Sequence, residues 1–423
     1  MSLSDEVLPL VRTRSDLHRW RAANAYGVQL HEAVALLRRA AENEPASDVL
    51  TVTQKAIASA CKVIMRADDS SGIIGDAIRD LLDLHAHLTR TAPPPSRKLV
   101  DWMIRFQFGN DCDFFEVDPV AYGPALGDQG MAAYRAKLTQ MEAGLNPEPT
   151  PEQEQAIWRS SFDDRTAWEQ LAGERHTRHV LEWNAQRLAV WDRDVDAIIA
   201  THVRDRKVAA WFQDAAEALA EIGEFDLAID WARQATYFDM GHQSARAAQY
   251  WCELVAAHHP DEEETVRVAV FRRWPTAAHA GALLTLAGPS WPVITADVMA
   301  ALEKNPREAV GFALHHLEDV PYAWELAHSL GLVDSGLWES LAKRYEFIDP
   351  LAVLPIYAEQ VRADLERADA ATYRASARRL AHMRSLAAGS ADADEVDGFI
   401  AELRETHRRR PRLQQEFDRA GLP

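Results

Sequence analysis

The sequence has little cysteine and no long apolar run. Its 423 residues contain three cysteines, Cys61, Cys112 and Cys252, which lie far apart. An odd number at these spacings suits neither a disulfide framework nor a zinc ribbon, so each is most simply a small buried apolar residue. No run reaches the roughly 18 apolar residues that a transmembrane helix requires, and the short acidic start lacks a signal pattern. We expect a soluble, cytoplasmic protein with no membrane partner.

The sequence also has few positively charged residues relative to its negatively charged ones. The 46 Lys and Arg residues face 65 Asp and Glu residues, which gives a formal net charge of −19. Such a field repels the phosphates of nucleic acids and anionic membrane surfaces, although a local basic patch can overrule the average. We therefore do not expect nucleic acid to be the partner.

The motifs of common enzyme classes are missing. The sequence has no Gly-x-Ser-x-Gly elbow, no phosphate-binding glycine-rich loop and no dinucleotide fingerprint. It also has no segment with the period of two that marks a β-strand. These absences predict an all-α protein without a cofactor, for which a non-enzymatic role is favoured. An enzyme with a dispersed active site stays open.

The segment from Lys207 to His259 carries the clearest helical pattern. Gly223 is expected to end a first helix, because glycine takes the left-handed conformation without a Cβ clash. Phe225 then precedes a second helix and is expected to fill the corner between the two. The first apolar stripe consists of Trp211, Ala215, Ala218, Leu219 and Ile222, and the second of Ala228, Ile229, Ala232 and Ala235. A third helix is predicted from Gln243 to Ala257.

This arrangement is typical of a tetratricopeptide-like repeat of about 34 residues, whose hairpins need neighbours to bury both faces. We predict an α-solenoid of such repeats over residues 150–423, preceded by an N-terminal helical domain over residues 1–145. The proline-dense segment from Gly144 to Pro151 separates the two. The N-terminal domain is expected to begin with a helix over residues 15–43. The alternative is an ordinary helical hairpin in a globular all-α core.

A helical-repeat array presents a concave groove, and a groove of this kind holds a peptide or helix of a partner protein. We predict that the surface of the central hairpins lines it, with Gln213, Glu217, Arg233 and Gln243 as the candidate contacts. The protein would then be a non-enzymatic scaffold for an unknown protein partner.

Two carboxylate clusters support an alternative, a metal-dependent enzyme or regulator. Asp68 and Asp69 precede a predicted helix, where capping of free amides is the simpler role. Asp111 and Asp113 lie in an acidic loop with Glu116 and Asp118. That loop lacks the mid-loop glycine of a calcium site. The histidine pairs, such as His176 and His179, lack a zinc-protease pattern and are expected to be solvated or half-buried.

The C-terminus is basic within an acidic protein. It can dock an acidic partner, or it can pair with carboxylates of this chain and offset helix dipoles. Arg404, Arg408 and Arg409 are the candidate contacts for a partner. The run also contains His407, Arg410, Arg412 and Arg419.

The order of landmarks resembles an uncharacterised family of bacterial helical-repeat proteins that also forms the C-terminal region of SWIM zinc-finger proteins. The resemblance implies a helical-repeat fold and brings no activity. The zinc finger needs a Cys-x-Cys pair and a later Cys-x-His, which this sequence lacks, so the resemblance implies a lone adaptor. The landmarks are Asp68 to Gly72, Leu84-His85, Asp118-Pro119, Tyr122, Leu126-Gly127, Tyr134-Arg135, Asp194 to Asp196, Gly223, Tyr373 to Leu386, Phe399, Leu403-Arg404, His407-Arg408 and Gly421-Leu422.

Overall fold

The computed structural model describes residues 2–109, 115–160, 165–288, 291–367 and 369–423. Over these ranges the chain forms 22 α-helices and one short 3₁₀-helix, with no β-strand. One isolated bridge joins Leu17 to Ala67. The predicted all-α class is therefore confirmed.

The chain divides into two compact units, Met1–Ala247 and Ala248–Pro423. The helices up to the division are α1 (Leu3–Val11), α2 (Trp20–Asn43), α3 (Ala46–Ile64), α4 (Ile73–Thr91), α5 (Ser96–Phe108), α6 (Pro119–Ala143), α7 (Pro151–Ser160), α8 (Thr166–Asp192), α9 (Val195–Val203), α10 (Ala209–Glu221), α11 (Phe225–Phe238) and α12 (His242–His258), within which the division falls. The domain limits predicted from the sequence, 1–145 and 150–423, stay a prediction.

The second unit continues with a 3₁₀ turn, Pro260–Glu262, and ten further helices. They are α13 (Glu263–Arg273), α14 (Ala277–Ala287), α15 (Trp291–Leu302), α16 (Pro306–His315), α17 (Val320–Ser329), α18 (Ser335–Tyr345), α19 (Leu354–Glu366), α20 (Ala370–Ala387), α21 (Ala393–Thr406) and α22 (Pro411–Arg419). Its core is apolar, and Phe312 of α16 and Phe417 of α22 are fully buried in it.

The start of the chain differs from the prediction of one helix over residues 15–43. A separate helix, α1, precedes it, and α2 begins only at Trp20. The Asp16 carboxylate accepts a bond from the His18 amide at 2.9 Å and stabilises a turn instead of a helix start. The Leu17 carbonyl accepts the amide of Asp68 at 2.8 Å, which holds this segment against the loop before α4.

Helix α6 begins at a side-chain cap and is interrupted near its middle. The Asp118 carboxylate accepts the amide of Val120 at 2.9 Å, and Pro119 occupies the first turn. Gly127 has φ +59° and ψ −178°, which is not helical and breaks the rod into two segments.

The hairpin of α10 and α11 agrees closely with the pattern found in the sequence. Gly223 has φ +83°, and the amide of Glu224 donates to the Leu219 carbonyl at 2.9 Å, which closes the end of α10. The alanines of both apolar stripes are buried as expected, as are Leu219 and Ile222, whereas Ile229 is half-buried. Two aromatic positions differ: Phe225 is 36% exposed, and Phe212, not Trp211, is the buried aromatic of α10.

Helices α5, α6 and α8 meet around a closed ring of buried polar side chains. Tyr134 donates its hydroxyl hydrogen to Asn184 Oδ1 at 2.6 Å and accepts a bond from Gln107 Nε2 at 2.7 Å. Asn184 Nδ2 donates to Gln107 Oε1 at 2.9 Å. The three residues are at most 3% exposed, and each polar group satisfies another, as buried polar groups must. The ring joins helices that lie on opposite sides of the proline-dense segment.

Two glycines on these helices give opposite expectations for substitution by alanine. A Cβ at Gly123 of α6 would lie 2.1 Å from the Trp191 ring, whereas at Gly173 of α8 it would meet no described atom within 4 Å. We expect Gly123→Ala to lower the free energy of unfolding by about 1–3 kcal/mol through overpacking. Gly173→Ala should raise it by about 1 kcal/mol, because alanine favours the helix. Urea denaturation of both variants tests this, and equal effects would contradict it.

Within the described ranges, no helix has both the length and the apolar composition needed to cross a membrane.

Candidate binding groove

The first unit contains an open groove of about 960 Å³ between α6 and α8. The two helices run antiparallel, since Arg135 near the middle of α6 pairs with Asp192 at the end of α8, whereas Asn146 after α6 bonds to Glu174 in the first half of α8. Leu138, Leu188 and Ala189 form a buried apolar floor, and Leu181 is half-buried beside them. We call this cavity the α6–α8 groove.

Two ion pairs border the α6–α8 groove, one at its Asp192 end and the other nearer its opposite end. A single guanidinium nitrogen of Arg135 lies 2.7 and 2.8 Å from the two carboxylate oxygens of Asp192. Glu182, on the next turns of α8, lies 3.2 Å from Arg204. These side chains are partly exposed, so each pair contributes little to folding, about 0–1 kcal/mol.

The other end is closed by the chain that follows α6. Asn146 Nδ2 donates to Glu174 Oε1 at 2.6 Å, and the Arg178 guanidinium donates to the Asn146 carbonyl. Hydrogen bonds from Gln170 and Asn146 lower the pKa of Glu174, so this carboxylate stays ionised. The segment is thus held against α8 and forms a wall of the groove.

Arg187 holds the opposite face of α8. Its guanidinium makes two bonds to Asp118 at 3.0 and 2.8 Å and two to Glu221 at 2.7 Å. Burial acts to lower the pKa of Arg187, but the two carboxylates outweigh it and raise the pKa overall. Because Asp118 starts α6 and Glu221 ends α10, Arg187 fixes α8 between them and sets the position of the groove wall.

A buried histidine lies among α3, α4 and α6. Gln54 Nε2 donates to His85 Nε2 at 3.0 Å, so Nδ1 carries the ring hydrogen and donates to the Tyr122 oxygen at 2.8 Å. Burial lowers the pKa of His85 to about 3 and raises that of Tyr122. Both rings are therefore neutral structural groups at neutral pH.

The four central residues predicted to contact a partner are not all at the surface. Gln213 is only 6% exposed, which corrects its predicted position, and its amide donates to Glu217 Oε1 at 2.8 Å. Glu217 and Arg233 are exposed, and Arg233 pairs with Asp230. Gln243 is half-buried near the amide of Ala210. None of the four lines the α6–α8 groove, and their role in binding stays a prediction.

The predicted metal-binding carboxylates have structural roles where they are described. Asp69 accepts the amides of Ile74 and Gly75, each at 2.9 Å, and so caps α4. Asp68 accepts the Ser70 amide at 3.3 Å. Asp111 and Asp113 lie outside the described residues. Among the residues that are described, no group of three or more His, Cys, Asp or Glu side chains is placed to hold a metal ion.

The two histidines His176 and His179 of α8 contact different residues. His176 Nε2 donates to the Gln107 carbonyl at 3.0 Å, and His179 lies 3.9 Å from Glu116 on the surface.

The C-terminal arginines pair mainly within the chain. The guanidinium of Arg404 donates to Asp418, Gln414 and the carbonyl of Leu422 at 2.9–3.0 Å. Arg408 pairs with Glu405, and Arg409 is exposed. Arg404 thus holds the end of the chain in place. The role of this region in docking a partner stays a prediction.

Reasoning from the sequence did not find the α6–α8 groove. Tyr134 and Leu138 recur at helical spacing in α6, as Leu181 and Leu188 do in α8, but this pattern does not pair the two helices. The proline-dense segment between them predicts a boundary there. A local signal for the contact of α8 with α5 and α6 is Asn184, a polar residue at a position of α8 where helical spacing predicts burial.

The sequence model of one protein family matches residues 8–413, and that family is described as one of unknown function. No curated protein and no solved structure matches the chain.

Proposed function

The chain belongs to this family of unknown function (DUF6880), which brings no activity with it, and we propose that the protein is a non-enzymatic scaffold. In this proposal the α6–α8 groove binds an amphipathic helix or extended segment of a partner protein. The observation that carries the proposal is the groove itself, with an apolar floor between ion pairs.

The chemistry of the groove favours a peptide ligand. Its floor offers aliphatic side chains, and burying one large apolar side chain of a ligand contributes about 1.5–3 kcal/mol. Two or three such anchors, spaced along a helix, give useful affinity in recognition of the helix-in-groove kind. The charges at the rims are already paired within the chain, so they select orientation more than they add affinity.

The tetratricopeptide-like interpretation belongs to the same proposal. The α10–α11 hairpin, with its glycine turn and buried alanines, supports hairpin stacking within the first unit as in an α-solenoid. The relation to the C-terminal region of SWIM zinc-finger proteins, and the role as a lone adaptor, are likewise proposed. An unknown protein is the expected partner, and nucleic acid is not.

Filling the groove should abolish partner binding. Ala185 is an exposed residue of α8 that lines the groove, so Ala185→Trp places a large ring above the floor. We expect proteins from the native host that bind the wild-type chain to be lost from this variant. For a purified partner, Kd should rise at least tenfold, about 1.4 kcal/mol.

Ala172→Trp is the matched control, because Ala172 is an exposed alanine of the same helix outside the groove. It should retain every partner. Partners that bind both tryptophan variants as well as wild type would show that the groove is not the binding surface, provided both variants unfold like the wild type.

A further inference from the structure

The second unit contains a separate groove between α19 and α21. Both helices pack on α20: Tyr357 of α19 contacts the His382 ring, and Arg384 pairs with Asp397 of α21 at 2.6 Å. The cavity has a volume of about 460 Å³. Its apolar surface is formed by Leu354, Ala358, Met383, Val396 and Phe399. We call it the α19–α21 groove.

Negative charge dominates the rim of this groove. Three carboxylates, Asp392, Glu395 and Glu402, line it together with one guanidinium, that of Arg362. Arg362 is already engaged, since it lies 3.7 Å from Glu402 and 4.6 Å from the centre of the Phe399 ring. Two carboxylates therefore remain without a cation among the lining residues.

Asp392 is the more informative of these two carboxylates. It occupies the position before the first turn of α21, where an aspartate side chain ordinarily accepts a helix amide. Here its backbone is helical and its side chain accepts no such bond. The half-buried carboxylate instead lines the groove beside exposed Glu395, one turn further along the same helix. Both negative charges lie at the end of the groove away from Arg362.

We propose that the α19–α21 groove binds a basic amphipathic helix of a partner protein. The apolar side of that helix would contact Ala358, Val396 and Phe399, and its Lys or Arg side chains would pair with Asp392 and Glu395. The argument for this occupant is charge complementarity: an acidic or neutral helix would leave the two carboxylates facing a low-dielectric contact without a partner. This surface is additional to the α6–α8 groove, and it lies in the other unit.

A pair of synthetic peptides tests the proposal on the full-length protein. One is a helical peptide of leucine and lysine, and the other has glutamate at every lysine position. In low salt, the lysine peptide should bind at a single saturable site, measured by fluorescence anisotropy, and the glutamate peptide should not. Ala358→Trp should weaken binding at least tenfold. Ala363→Trp, at an exposed position of the same helix outside the groove, should leave it unchanged.

A second pair of variants separates the groove from the general acidity of the chain. Glu395→Lys and Asp394→Lys change the net charge equally and lie side by side, but only Glu395 lines the groove. We expect a loss of several-fold or more for Glu395→Lys alone. Equal losses would overturn the proposal in favour of non-specific attraction. Concentration-dependent self-association that Ala358→Trp abolishes would also overturn it, because the groove would then belong to a second copy of the chain.

Discussion

Asn184→Leu should lower the free energy of unfolding by about 3 kcal/mol, because it opens the polar ring at the centre of the first unit. The substitution leaves Gln107 Oε1 and the Tyr134 hydroxyl buried without the partners they have now, at 2.9 and 2.6 Å. Each unsatisfied buried group costs about 1–3 kcal/mol. Denaturation in urea, followed by circular dichroism, measures the loss.

A triple variant shows whether the lost bonds or the changed shape cause the effect. Combining Asn184→Leu with Gln107→Leu and Tyr134→Phe removes the polar groups together. Stability should return to within about 1 kcal/mol of wild type, because replacing all partners by apolar groups is nearly neutral. Gln140→Leu, at an exposed position of α6, should change stability by less than about 0.5 kcal/mol. A triple variant as unstable as the single one would contradict the account.

Acid should destabilise the protein through His85, with a dependence on pH that becomes weaker when this histidine is replaced. Burial lowers the pKa of His85 from 6.5 to about 3, so the unfolded chain binds a proton that the folded one excludes. The stability contributed by the neutral ring is complete above pH 6.5. It is lost as the pH falls towards 3, by about 1.4 kcal/mol per pH unit.

Unfolding free energies between pH 6.5 and 5 are the most direct measurement, because most carboxylates titrate below this window. Over that range we expect wild type to lose about 2 kcal/mol more than His85→Gln. His202, whose pKa burial also lowers, contributes equally to both proteins. His87→Gln, an exposed position on the same helix, should keep the slope of wild type. Parallel profiles for wild type and His85→Gln would exclude the buried histidine as the cause.

The local pattern of the sequence was sufficient to predict the position of those helices that have clear periodicity and end at a strong turn residue. Gly223 marks a real helix end, because its positive φ favours a residue without a Cβ clash. The first helix was harder to place. Asp16 looks like a helix cap, but its carboxylate stabilises a turn whose position depends on a contact with Asp68, far along the chain.

The α6–α8 groove could not be predicted from local patterns in the sequence. The apolar faces of α6 and α8 were visible, but which helix each face packs against is decided by distant partners. Arg187 shows why: it lies 69 residues from Asp118 and 34 from Glu221, and no spacing rule links the three. Gln213 shows the reverse error, since a polar residue next to an apolar stripe can be buried when a neighbour satisfies its amide.

Asp118 has two structural roles, and together they restrict how the sequences of this family can diverge. The same carboxylate starts α6 and holds the guanidinium of Arg187, which in turn holds the end of α10. Asp118→Ala would remove two of the four hydrogen bonds of Arg187 and uncap a helix in one step. Positions 118, 187 and 221 should therefore be inherited as a set, and sequences that have lost one of the three charges should have lost or replaced the others.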